Sequence, residues 1–297
     1  MSSTPSDAIV WEALNELWAL PFGSRYCPVP LPVSLTREAL RRMKRGRMGN
    51  FLCSAKTDGL RHMLLLSQDE DTGESFAALV SRKGEITSSW AVSPDRDSSL
   101  FDGTLVDGEL CADGMFVVFD MLALRGYDYK KKPFVERLRD LHKSLPSIRD
   151  AVTGTLRVAE KSWLPLGNGR ALMKEARSKS DGVILTQCRA PYGRNRCRDI
   201  FKWKAVHTVD LRVESRRDLL AQTDSGEETK YPGLAIAEGQ TVREEWIGQV
   251  CECAIDAKGG GAVRVVGPRP DKSQPNHVST VERTLSSIED CIAASEV

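Results

Sequence analysis

Six consecutive positions, "KTDGLR" at residues 56 to 61, hold a lysine, an acid, a glycine and an arginine directly before the apolar run "HMLLL", which reads as a β-strand. In an extended chain alternate side chains share a face, so Lys56 and Asp58 project together, and Gly59 permits a turn. "FKWK", residues 201 to 204, repeats the pattern, with Lys202 and Lys204 on one face and Phe201 and Trp203 on the other. A neutral lysine amine is a nucleophile, and cations beside it favour loss of its proton and hold anionic oxygens. On spacing alone, two ordinary readings stay open: a solvated strand face for Lys202 and Lys204, and a surface lysine at position 56.

The elements that must position these residues are mixed. "IVWEALNELWAL" and "PFVERLRDLHKSL" carry apolar residues at helical spacing; in the second, Phe134, Leu138, Leu141 and Leu145 step by four, three and four. "HMLLL", "FAALVS", "TLVDGEL", "MFVVFDMLAL", "DGVILT" and "IFKWKAV" are short β-rich runs bounded by Gly, Asp or Ser. After residue 208 the pattern changes to "VDLRVES", a polar loop, "GQVCECAID" and "KGGGAVRVV", then an apolar-periodic stretch through Val281, Leu285, Ile288 and Ile292. This predicts a larger domain over 1–208, a small β domain over 209–272, and a closing helix within 273–297.

Bulk properties exclude little. The 297 residues are 41% hydrophobic, enough for a sizeable core, and 42 basic against 41 acidic side chains leave a formal charge of +1. Any nucleic acid must therefore be held by local patches, among which Arg37, Arg41, Arg42, Lys44, Arg45 and Arg47 are one candidate. No apolar run approaches a membrane span and no leader pattern opens the chain, so an intracellular soluble protein is expected. Eight scattered cysteines lack metal-ligand spacing and read as reduced thiols. Walker, dinucleotide and nucleophile-elbow motifs are missing, and "KGGGAV" reads as a hairpin turn.

Six fragments in order, "KTDGLR", "DGEL" (107 to 110), "VVFDMLALRG" (117 to 126), "SDGVIL" (180 to 185), "FKWK" and "RPDK" (269 to 272), resemble the motif series of the covalent nucleotidyltransferases. That superfamily contains the mRNA capping guanylyltransferases and the ATP-dependent DNA and RNA ligases. The capping branch is the nearer match: "CPVPLPVSLTREALRRMKRG" resembles its lead-in, Asp181 stands where ligases usually have Glu, and "RPDKSQPN" is similar to its last motif. The resemblance implies an α+β fold: an ATP-grasp-like nucleotidyltransferase domain of antiparallel sheets with flanking helices, a C-terminal OB-fold β-barrel, and a final helix packing back on the larger domain.

It also implies the chemistry. Lys56 would take GMP from GTP, with Mg²⁺ or Mn²⁺, and pass it to the 5′-diphosphate end of RNA. Arg61, Lys202, Lys204 and the metal would favour the neutral amine. Thr57, Arg61, Arg82 and Glu109 would lie around the nucleotide, the last three at the sugar; Phe119 would stack on the base, Lys161 would read guanine O6, and Asp181 would act near the metal through water. Arg269, Asp271 and Lys272 would reach the pyrophosphate side when the small domain closes. A separate RNA triphosphatase, a cap methyltransferase and an RNA polymerase would be the partners, in a nucleus or a cytoplasmic viral factory. An ATP-dependent polynucleotide ligase shares the first step, and a non-catalytic nucleotide-fold scaffold is a further alternative.

Overall fold

The computed structural model describes residues 4–46, 49–93, 97–179, 182–204, 206–255 and 261–289, together with Ile292 and Glu296. The chain divides into two compact units, Met1–Val33 with Arg42–Lys202, and Ser34–Arg41 with Trp203–Val297.

In the first unit the chain runs through α1 (Asp7–Trp18), β1 (Pro30–Ser34), α2 (Arg37–Lys44, which the division cuts), β2 (Phe51–Ala55) and β3 (Gly59–Gln68). It continues through β4 (Ser75–Ser81), β5 (Ile86–Ala91), β6 (Thr104–Cys111), β7 (Met115–Leu124), β8 (Tyr127–Asp128) and α3 (Phe134–Ala151). β9 (Arg157–Glu160), β10 (Leu164–Pro165), α4 (Gly169–Lys179), β11 (Val183–Gln187) and β12 (Asn195–Trp203) complete it. Two sheets result. One has the order β5-β4-β3-β6-β7-β8 with β9 parallel on β7; the other has the order β1-β12-β11-β2-β10.

Strand alternation gives the larger sheet two apolar faces. Leu64, Leu66, Val106, Phe116 and Val118 face α3, which contributes Leu141, Leu145 and Ile148. Met63, Leu65, Leu105 and Leu122 face the other way, where α1 packs Val10, Trp11, Leu14 and Trp18. Ser6 caps α1 by accepting from the Ile9 N–H (3.4 Å), and Ala19, in the left-handed region at φ 53°, ends it. Each apolar side chain so buried contributes roughly 1.5–3 kcal/mol.

Two irregularities near the β6–β7 pairing matter for function. Asp107 of β6 opposes Asp120 while Gly108 opposes Val118, which leaves Phe119 as an extra residue in the ladder. The bulge lets consecutive residues, Phe119 and Asp120, serve one face. Gly108 itself has no alternative residue, because a Cβ there would lie 2.5 Å from the Phe116 ring.

The second unit holds β13 (His207–Val213), β14 (Leu219–Gln222), β15 (Glu228–Lys230), β16 (Ala235–Ile236), β17 (Val250–Ile255), β18 (Ala262–Pro268) and α5 (Val278–Glu289). Its sheet order is β15-β14-β13-β17-β18-β16, with no pairing that closes it among the described residues. Val281 and Ile288 of α5 complete the core that Val209, Leu211, Cys253 and Val263 begin, because the open sheet face needs an apolar cover. The glycines of "KGGGAV" up to Gly260 lie outside the described residues; β17 and β18 on either side pair antiparallel.

Candidate active site

Lys56 follows the last residue of β2, and its backbone N–H donates to the Gly182 carbonyl at 2.8 Å, which ties the lysine to the start of β11. Three residues later Gly59 opens β3, where a Cβ would sit 2.6 Å from the Leu110 carbonyl oxygen; only glycine lets β3 approach β6 there. Lys56 lines a pocket in the first unit with Arg61, Arg82, Glu109, Phe119 and Lys161. Thr57 joins them through its hydroxyl, which accepts from Lys161 Nζ at 2.8 Å.

The pocket floor is electrostatically built. Arg61 donates to both oxygens of the fully buried Asp107 (2.9 and 2.5 Å) and to the Pro30 carbonyl (2.6 Å), and lies 5.3 Å from the Phe119 ring centre. The Tyr192 hydroxyl donates to Asp107 at 2.6 Å, and burial pushes that phenol well above its ordinary range. Lys161, 8% exposed, sits 5.5 Å from the same ring on its way to Thr57. Burial lowers its pKa to about 8, helped by repulsion from Lys56 and opposed by Glu109. Glu109 is held above the usual carboxylate range by burial, although Lys161, Lys56 and Arg61 pull it down. Cys27 lies near this set, and burial drives its thiol up to about 12.

The remaining sequence candidates are elsewhere. Phe201 and Trp203 are buried and Lys202 and Lys204 are half-exposed, but neither lysine lines the pocket; Ile200, two residues before Lys202 on the same strand face, does. Arg269, Asp271 and Lys272 belong to the second unit. There Arg269 donates to both oxygens of Asp271 (2.9 and 2.8 Å) and to Asp210 (2.9 Å), whose other oxygen accepts from Lys272. Arg269 pulls the Asp271 carboxyl down to about 2. Asp181 lies outside the described residues.

The family model for the mRNA capping enzyme catalytic domain matches residues 14–206, and that for the mRNA capping enzyme C-terminal domain matches residues 198–297. The chain belongs to the mRNA capping enzyme family. The mRNA-capping enzyme subunit alpha of Neurospora crassa is 26% identical over 91% of this chain and 83% of that one. The protein of the same description from Schizosaccharomyces pombe is 25% identical over 91% and 78%. The solved ATP-dependent DNA ligase of bacteriophage T7 in complex with ATP aligns with 82% of this chain and 98% of its own, at 12% identity and a TM-score of 0.47. As a member of the capping family the chain is an enzyme, a nucleotidyltransferase.

Several residues of the pocket, of its supports and of the second unit's charged cluster were missed by sequence reasoning. Asp107 carried a usable signal, since it lies two residues before Glu109 in "DGEL" and so shares its strand face. Tyr192 and Asp210 carried none, because each meets its partners across 59 residues or more of chain. Asp120 also lines the pocket, bound bidentately by the buried Arg137 of α3 at 2.7 and 2.9 Å. Trp163 closes the rim against Phe134, edge to face at 5.0 Å.

Proposed function

We propose that the chain is a GTP:RNA guanylyltransferase with Lys56 as its covalent nucleophile. The observation that carries this is the position of Lys56, at the end of β2 on the edge of a pocket whose interior offers an aromatic ring, a buried lysine and a fixed arginine. The amine attacks the α-phosphorus of GTP; a phosphorus–nitrogen bond forms, the bond to the bridging oxygen breaks, and pyrophosphate leaves while the amine loses a proton to solvent. A terminal oxygen of the RNA 5′-diphosphate then attacks the same phosphorus, and Lys56 departs with a proton.

Phe119 offers its face to the base, and Lys161, braced by Thr57, supplies a donor for a base carbonyl such as guanine O6. Arg61, Arg82 and Glu109 surround the sugar. Lys202 and Lys204 are assigned to the α-phosphate, and Arg269, Asp271 and Lys272 to the departing pyrophosphate. A depressed lysine could itself suggest a nucleophile, but Lys161 is buried against the stacking ring, a place for reading a base.

Among the described residues no group of three or more His, Cys, Asp or Glu side chains could hold a metal ion. Mg²⁺ characteristically takes one or two carboxylates plus substrate phosphates and keeps waters, so Mg²⁺ or Mn²⁺ would enter with the triphosphate. Asp181 is the carboxylate that would hold it, through water, and it would supply positive charge to the phosphates.

Residues 209–272 are read as an OB-fold, for which the six-stranded sheet is support. RNA with a 5′-diphosphate end is the acceptor, and a separate RNA triphosphatase, cap methyltransferase and RNA polymerase are the expected partners. The name of the relatives, subunit alpha, supports a partner subunit. No helix among the described residues is long and apolar enough to cross a membrane. Incubation with α-labelled GTP or ATP and a divalent metal, followed by a denaturing gel, tests the reading: GTP-only labelling is expected, ATP-only labelling selects a ligase, and no labelling overturns both.

A further inference from the structure

We infer that a basic surface of the first unit, built from residues 130–132 and 189–198, is the track on which the RNA chain lies downstream of its 5′ end; this rests on RNA being the acceptor. The first support is β12. Arg196, Arg198, Ile200 and Lys202 occupy alternate positions, so they share one strand face at intervals of about 6.7 Å. Cys197, Phe201 and Trp203, at the intervening positions, are buried. Ile200 lines the nucleotide pocket, so the row of cations runs up to the place where transfer occurs.

Arg196 and Arg198 are exposed, and neither side chain makes a hydrogen bond or ion pair with a described residue. Other arginines contrast with them: Arg61, Arg137, Arg212 and Arg269 are each locked to a carboxylate. Two exposed cations on an ordered strand, with no partner among the described residues, are available to an external polyanion.

The second support is how the neighbouring segment is attached. The Tyr192 N–H donates to the Lys130 carbonyl at 2.7 Å, and one Arg137 nitrogen donates to the carbonyls of both Lys132 (2.6 Å) and Ala190 (2.8 Å). The other two nitrogens of Arg137 hold Asp120, which lines the pocket. One buried guanidinium therefore fixes both basic segments and a wall of the nucleotide site. Lys131 and Arg189 carry further positive charge on these segments. The acids present cancel only part of this charge: Asp128 offsets Lys130 (3.4 Å), which leaves Lys131 and Lys132 on that segment, and Asp199 shares the strand face of Cys197. An acidic protein segment would also find cations here. The row that leads along one strand into the pocket favours RNA, whose 5′ end must reach that pocket.

The double variant Arg196→Ala/Arg198→Ala tests the inference, with Lys131→Glu as an independent variant on the other segment. Both are expected to form labelled lysyl-nucleotide from GTP at the wild-type rate, which also shows that they fold. Binding of a diphosphate-ended RNA of about twenty nucleotides should weaken about tenfold for the double variant, and the slope of log affinity against log salt should fall by about 1.4, or about 0.7 for each phosphate that is no longer neutralised. Transfer to that RNA should show a raised KM, while transfer to a diphosphate-ended dinucleotide should not change. Wild-type affinity and salt slope in both variants would overturn the inference. So would poly-aspartate binding that the substitutions weaken while RNA binding is untouched, which would assign the surface to an acidic protein segment. If the wild-type chain forms no labelled lysine with GTP, the functional reading falls, yet the salt-slope comparison still decides the surface.

Discussion

The nucleotide pocket of the first unit and the "RPDK" cluster of the second both gather lysine and arginine with acids, but they treat charge in opposite ways. In the pocket Lys161 is buried with its pKa lowered to about 8, and Glu109 is raised, so both bear a desolvation penalty while waiting for a ligand. In the cluster two cations, Arg269 and Lys272, meet two carboxylates, Asp210 and Asp271, and Asp271 is drawn down to about 2. The two sites must therefore respond differently to a ligand. The pocket relieves an existing electrostatic cost when a base and sugar enter. The cluster is already neutral, and under the proposed role it would exchange carboxylate oxygens for phosphate oxygens, a step suited to a group that acts only when the leaving group departs.

The largest expected effect concerns the pocket. Lys56→Arg keeps a cation at the edge yet abolishes covalent labelling with GTP, because guanidinium does not deprotonate at working pH. Acid-labile labelling that persists in this variant would place the nucleophile elsewhere. Next comes Asp107→Ala, which leaves the half-buried Arg61 without its counter-charge and Tyr192 without its acceptor, and should lower unfolding stability by about 3 kcal/mol, read by urea titration. A shift below about 1 kcal/mol would mean that water reaches this floor.

For the cluster, Asp271→Ala and Lys272→Ala should bind GTP within roughly tenfold of wild type but form the intermediate about a hundredfold more slowly, as when an interaction made in the transition state is removed. GTP affinity and single-turnover labelling, measured on the same preparations, separate the two. Loss of GTP binding outright would make the cluster part of the ground-state site and erase the contrast. The smallest effect is on pH. Lys161 carries its charge below about pH 8 and loses it as the pH rises through that value, so GTP affinity should be steady below pH 8 and fall by up to about tenfold per unit above it. Lys161→Met should bind more weakly throughout and show no such fall; an unchanged profile would assign the titration to another group.

What could be read in the sequence were features with short period or fixed local order. The alternation of "FKWK" foretold that Phe201 and Trp203 are buried and the lysines between and after them half-exposed. The helical steps of 134 to 145 marked α3, although its most consequential residue, Arg137, drew no notice beside the apolar stripe. The bulge at Phe119 was invisible, because two neighbours facing the same way break the very alternation that marks a strand. Asp210 was passed over in "TVDL" because nothing local distinguishes an acid that waits for an arginine 59 residues later. The assignment of residues 34–41 to the second unit leaves no trace in composition, since it depends on which surface the chain meets.

Arg61 also bears on when disorder is lost. Its guanidinium is fixed by Asp107 and the Pro30 carbonyl, so the roughly 2 kcal/mol of rotamer freedom that an arginine gives up is surrendered as the chain folds and not when a nucleotide arrives. A nucleotide therefore meets a guanidinium already in place, and its affinity carries none of that ordering penalty. The cost appears instead as a demand on the fold: anything that loosens the junction of β3, β6 and the segment around Tyr192 weakens nucleotide affinity in step with stability, and saturating nucleotide in turn holds that junction shut.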